Sequence, residues 1–365
     1  MKKHYLKLIS VTSIVTLLAA CGGGGDSSNS GTGSTVTPAP VAVGSVTTVA
    51  GSATTGNANG TGTAASFSSI NGIAVDASGN IYIGDTGNNL IRIITPTGIV
   101  STLAGSGSAG SGDGIGSSAS FYGPAGVAVD KVGNVYVADA NNNLIRKITP
   151  GGAVTTLAGS GAVGSANGTG TAASFNAPLG VSVDGSGNIY VADDGNNLIR
   201  MITSAGVVST LAGNLNRGAA DGIGAAASFS VPAGVALDAT GNLYVADRVN
   251  NLIRKVATGG VVTTLAGSTT HGNTNGTGAA ASFNQPNGVT VDAQGNIYVA
   301  DLGNSLVRQI TPAGVVTTLA GSGVQAAVNG IGTAASFSSP TGVAVDASGN
   351  VYVADGHSVR KISTQ

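Results

Sequence analysis

The sequence predicts an all-β fold, a six-bladed β-propeller whose ring is closed by an N-terminal strand, residues 46–51, completing the last blade. Three observations predict it. Phe67, Phe121, Phe175, Phe229, Phe283 and Phe337 are spaced 54 residues apart and are all the Phe in the chain. Tyr82, Tyr136, Tyr190, Tyr244, Tyr298 and Tyr352 keep the same interval, so one unit recurs six times. The phrase Val46-Thr47-Thr48-Val49-Ala50-Gly51 closes no unit before it, while the last unit stops at Ile362-Ser363-Thr364-Gln365 where that phrase is due. The two deficits add to one sheet.

Within a unit four strands are expected. Gly126 to Asp130 is the first, turned by Lys131-Val132-Gly133-Asn134 into Val135 to Asp139. Ala140-Asn141-Asn142 leads into Asn143 to Ile148, and Thr149-Pro150-Gly151-Gly152 leads into Ala153 to Gly159. The first two strands are apolar on both faces, as strands buried between sheets are; the third and fourth carry more polar residues. A single small sheet cannot bury both faces, but stacked copies can. An open stack would need polar caps at both ends, and closure removes that need.

Residues 1–20 read as a lipoprotein signal peptide. Lys2, Lys3 and Lys7 precede an apolar run from Leu8 to Leu18, too short to span a bilayer. The run ends in Leu18-Ala19-Ala20-Cys21, which resembles a bacterial lipobox and implies cleavage before Cys21 and acylation of that residue. The expected localisation is therefore exported and lipid-anchored in the bacterial cell envelope. With Gly22 rather than Asp after the cysteine, the outer membrane is favoured for a Gram-negative cell. Residues 21–45, rich in Gly, Ser, Thr and Pro, read as a tether with a reach on the order of 27 Å. Residues 46–363 are the propeller.

Composition narrows the function. Gly is 60 of 365 residues, charged residues are 8%, and the acids are sixteen Asp and no Glu. Without the three leader lysines, 12 basic groups face 16 acidic ones, a net charge of −4. That is a poor match to a phosphate backbone, so no nucleic-acid partner is expected. Cys21 is the single cysteine and offers neither a disulfide nor a thiolate metal site.

The pattern Phe121, Pro124, Gly126 to Asp130, Gly133-Asn134, Tyr136 to Asp139, Asn142-Asn143 and Ile145 to Ile148 resembles the NHL repeat and recurs over residues 46–363. The resemblance implies a β-propeller, commonly six-bladed. It also implies a range of activities, since such propellers include binding scaffolds, RNA binders, amidating lyases and, among relatives, lactonases. The position that gives the family its His holds Asn89, Asn143, Asn197, Asn251 and Ser305 in the first five units.

In a propeller the turns between second and third strands and the links to the next blade share one face, the natural ligand face. Asp85, Asp139, Asp193, Asp247, Asp301 and Asp355 form a ring there, which suits calcium or a sugar. Each is followed in register by an Arg (Arg92, Arg146, Arg200, Arg254, Arg308, Arg360), so internal pairing is the preferred reading. The Gly-rich links, such as Asn59-Gly60-Thr61-Gly62 and Asp113-Gly114-Ile115-Gly116, lack the Lys and the helix of a phosphate loop and read as turns. Residues that break the sixfold pattern are the better ligand-binding candidates: Asp194, Arg217, Arg248, His271 and His357. No catalytic residue, metal site or cofactor is assigned. Two His without Glu do not suit a zinc lyase.

The expected function is a monomeric, envelope-anchored binding or scaffolding module. Its partners would be the membrane, through acylated Cys21, and an unidentified protein, peptide or glycan. The alternatives are a metal-assisted lyase or lactonase and a plain spacer or adhesion protein.

Overall fold

The computed structural model describes residues 44–363. The expected signal peptide, Cys21 and most of the expected tether lie outside them. The described chain forms six antiparallel sheets, each with its strands in the same order. In blade 2 that order, from the rim to the axis, is Gly114–Ile115, Ala153–Ala158, Leu144–Ile148, Val135–Asp139 and Pro124–Val129. Blades 1, 3, 4, 5 and 6 repeat it with second strands Ile81–Asp85, Ile189–Asp193, Leu243–Asp247, Ile297–Asp301 and Val351–Asp355.

The fourth strand of blade 6 is Ser45–Gly51, paired antiparallel with Ser358–Ser363. Every other fourth strand carries a bulge that leaves one residue without a register partner: Leu103, Leu157, Leu211, Leu265 or Leu319. The N-terminal strand has the same bulge at Val49. It is thus a fourth strand in detail as well as in position.

The count of four strands needs correction. Each sheet has a fifth, two-residue strand at its rim, drawn from the Gly-rich link expected to be only a turn. Gly114 pairs with Val154 and Ile115 with Ala153; Gly60–Thr61 and Gly330–Ile331 pair likewise in blades 1 and 6. The first strand also begins earlier than expected, at Pro124, with a register shift before Val127.

The core lies between blades, not within them. One cluster joins Tyr136, Ala138 and Ile145 of blade 2 to Phe175, Val181 and Val191 of blade 3. The cluster across the closure has the same make-up, with Ala50, Tyr352 and Val359 of blade 6 against Phe67, Ile73 and Ile83 of blade 1. All six Phe are fully buried.

At the axis the inner strands meet closely enough to exclude a side chain. A Cβ on Gly126 would fall 2.3 Å from the Leu179 carbonyl oxygen of the next blade. One on Gly342 would fall 2.3 Å from that of Asn71, so the sixth blade meets the first as the others meet their neighbours. Replacing either glycine would push neighbouring backbones apart, because packed interiors have no slack for a methyl group.

Candidate functional site

The face that carries the turns after the second strands is built on six buried ion pairs. In blade 2, Arg146 Nη1 donates to Asp139 Oδ2 at 2.7 Å, with both side chains fully buried. The same carboxylate accepts the Tyr122 N–H and Asn142 Nδ2, both at 2.8 Å. Arg146 Nη2 reaches the link, donating to Gly112 O and Asp113 Oδ1. Its guanidinium carbon lies 5.2 Å from the Phe121 ring centre. Blades 1, 3, 4, 5 and 6 repeat the pair. Burial pushes the Asp139 carboxyl upward in pKa, against the pull of Asn142, the Tyr122 N–H and Arg146. With its lone pairs occupied by its own blade, this ring of Asp is scaffolding that pins the links to the turns.

The turns are also tied to the next blade. Asn143 sits in the left-handed region, φ 55°, and its Oδ1 accepts the Ala177 N–H at 2.9 Å. Asn89, Asn197 and Asn251 do the same to Gly123, Val231 and Gln285. His357, three residues before Arg360, takes this place in blade 6, where its Nδ1 accepts the Ser69 N–H at 3.3 Å. The exception is Ser305, too short to reach across. The residue it would hold, Ser339, instead donates its N–H to Asp355 Oδ1 at 2.7 Å.

Against this frame, Asp194, Arg217, Arg248 and His271 fall together on blades 3 to 5, and His357 does not. Asp194 and Arg248 occupy the same place in successive blades, just after the second strand, and meet at 3.2 Å. Asp194 is 16% exposed and Arg248 30%. Burial raises the Asp194 pKa; Arg248 and then Arg217 oppose the rise, and Asp193 adds to it. Arg217 and His271 likewise share one place, in the links entering blades 4 and 5, and both are exposed. The link carrying Arg217 is held to the blade 4 turn by Asn250 Nδ2, which donates to Gly218 O at 2.7 Å. His271 borders an open cavity of about 350 Å³ with Val249, Asn251, Asn284 and Gln285. His357 lines a separate cavity with Gly51, Ser52 and Ser338.

Sequence reasoning missed Val249 and Gln285, which complete this sector, and a polar cluster at the axis. Asn287 Nδ2 donates to the Thr341 carbonyl at 2.8 Å and approaches Asn71 Oδ1 at 3.5 Å, spanning blades 5, 6 and 1. The cavity these residues line at the axis is about 60 Å³, and a second one lined by the same six inner strands is about 180 Å³. The signal was available: the place just before the axial glycine reads Asn71, Ala125, Leu179, Ala233, Asn287, Thr341, as asymmetric as the places of Asp194 and Arg217. Among the described residues no group of three or more His, Cys, Asp or Glu is placed to hold a metal ion.

Comparison with known proteins gives six matches to the NHL repeat, at residues 67–94, 121–148, 175–200, 229–256, 283–310 and 337–360. The chain is 33% identical over 266 residues to Protein SUPPRESSOR OF QUENCHING 1, chloroplastic, of Arabidopsis thaliana, covering 67% of this chain and 25% of that protein. It is 31% identical over 326 residues to NHL repeat-containing protein 2 of Bos taurus, covering 78% of this chain and 44% of that one. The chain thus spans less than half the length of these curated relatives. Among solved structures, an auxiliary nutrient binding protein from Bacteroides thetaiotaomicron superposes with a TM-score of 0.66 at 16% identity, covering 87% of this chain and 76% of that one. That likeness is one of fold.

Proposed function

Because the chain is a six-bladed NHL-repeat β-propeller, we propose that it is a monomeric ligand-binding module held at the cell envelope, with its site on the ligand face of blades 3 to 5. The observation that carries this reading is where the spare charge lies. Of eight arginines, six are fully buried in their blades' own ion pairs. The other two, Arg217 and Arg248, flank one turn. Of the described acids, six are the Asp of those pairs, six form the turns on the opposite face, and Asp113 and Asp221 pair with Arg146 and Arg254. Asp194 alone remains, beside the spare arginines. A repeat needs none of these residues to fold, and a ligand site does.

Envelope anchoring rests on Leu18-Ala19-Ala20-Cys21 and the tether composition, both read from the sequence. The likeness to a nutrient-binding propeller agrees with a binding role at the level of fold. A metal-assisted lyase is the weaker reading, since His271 and His357 border different cavities and His357 Nδ1 is engaged by Ser69. Binding of peptide and cell-wall glycan libraries, measured on the native chain and on Arg217→Ala and Arg248→Ala, tests the proposal. Binding weakened by both variants supports it. Binding indifferent to both, or turnover of a lactone without stable binding, overturns it.

A further inference from the structure

We infer that the ligand this sector takes is a short peptide bearing a free carboxylate next to an aliphatic side chain, with Asp194 as the built-in competitor for that carboxylate. The inference rests on the binding role proposed above and gives the site its chemistry.

The Arg248 guanidinium donates to Asp194 Oδ2 alone, at 3.2 Å, longer than the 2.7 to 2.8 Å seen for Arg146 with Asp139 and Asp113. The other charged groups nearby are committed. Asp193 and Asp247 face their own Arg200 and Arg254, and Asp221 accepts from Arg254 Nη2 at 2.7 Å and from Thr264 Oγ1 at 3.0 Å. Asp194 is thus the one uncommitted acid beside the two arginines, paired with Arg248 and acting on Arg217 only through its charge, which leaves one positive charge in excess. Guanidinium groups with free N–H donors select carboxylates, which they can hold through two parallel bonds.

What surrounds the arginines favours a peptide over a sugar. Val249 is 49% exposed and Leu215, two residues before Arg217, is 60% exposed. No Tyr, Trp or Phe ring that could form a sugar-stacking platform stands among the residues of the cavity, which are Val249, Asn251, His271, Asn284 and Gln285. An aliphatic side chain would lie on Val249, its carboxylate on Arg248 and Arg217, and its amide backbone beside Gln285 and His271. At the equivalent places blades 1 and 2 carry Thr86 and Ala140, and Thr55 and Ala109, so the chemistry is confined to this side of the ring.

The test measures binding of N-acetylated alanyl-alanyl-leucine, as free acid and as C-terminal amide, to the full chain by calorimetry at low salt. The free acid should bind at least about tenfold more tightly than the amide, and Arg217→Gln and Arg248→Gln should each remove most of that preference. Asp194→Asn should tighten the free acid severalfold, because it frees Arg248 of its internal partner; a purely structural Asp194 would instead weaken binding or leave it unchanged. Equal affinity for acid and amide, with both lost in Val249→Asp, overturns the carboxylate inference and leaves the sector a binding site. Binding of a uronate trisaccharide but of neither peptide, lost in Arg217→Gln, likewise overturns the peptide and keeps the site. Silence of every probe with the native, folded chain overturns both.

Discussion

At the scale of single residues, the six tyrosines of the repeat show how local bonds set ionisation. Tyr136 Oη donates to Asp130 Oδ2 at 3.1 Å, and Asp130 already accepts the Asn134 side chain and the N–H groups of Val132 and Asn134. Burial, the Asp130 charge and that hydrogen bond push the Tyr136 pKa up to about 12. Tyr82, Tyr244 and Tyr352 also reach about 12 for the same reasons. Since the folded pKa is raised, the neutral phenol's contribution to stability is complete below the unfolded value, about 10, and is lost as pH rises through 12. Absorbance at 295 nm should therefore show four of the eight tyrosines ionising near pH 12, and Asp130→Asn should lower Tyr136 while burial keeps it above the ordinary value. Phe175 supplies the second residue-scale prediction. It is fully buried between blades 2 and 3, so Phe175→Ala should cost about 3 to 5 kcal/mol in denaturant unfolding. A loss under about 1 kcal/mol would contradict interblade burial.

Residues of this kind were legible because a 54-residue period repeats them six times. The seven-residue step from Asp139 to Arg146 places both on facing strands, and the structure pairs them. Asn59, Asp113 and their counterparts were not legible as partners of the arginines. Their bond to Arg crosses 33 residues of chain, and nothing in a Gly-rich link states where it will fold back.

At the scale of elements, the turn after the second strand is the joint between blades. Asn143 combines a left-handed backbone with the bond to Ala177. Asn143→Gly keeps the backbone and removes the bond to Ala177 together with the exposed one from Asn143 Nδ2 to Gly161 O, so it should cost about 1 kcal/mol or somewhat more. Asn143→Ala loses the bond and meets the left-handed penalty, so it should cost roughly 1 to 2 kcal/mol more. Ser305, also left-handed at φ 54°, makes no such bond, and Ser305→Gly should change stability by less than about 0.5 kcal/mol. Urea unfolding of the three variants checks the ranking; an equal loss at Asn143→Gly and Ser305→Gly would contradict the joint. The rim strand escaped the sequence because two residues give no periodicity. Gly114 and Ile115 have nothing to alternate with, and only the ladder to Val154 and Ala153 makes them a strand.

At the scale of the whole molecule, the fold is a chain of like interfaces, closed by a strand whose pairing joins residues more than 300 positions apart, Val46 with Ile362. The order of blades and the closure were legible because a fourth strand stood where no unit preceded it. The candidate site was legible only in part. Arg217, Arg248 and Asp194 stood out as departures from the repeat, but their convergence depends on Asp194 and Arg248 standing on adjacent blades, which only the ring supplies. The closing strand carries Val46 and Ala50 into two interblade cores at once. It is therefore worth more than one edge strand of a free sheet, and its removal should open the ring.

The most direct test of that closure is the melting temperature of two deletions, residues 46–51 and residues 26–40, against the full chain. Closure predicts a fall of many degrees, or failure to fold, for the first and no measurable change for the second. Equal melting temperatures for the two would contradict it.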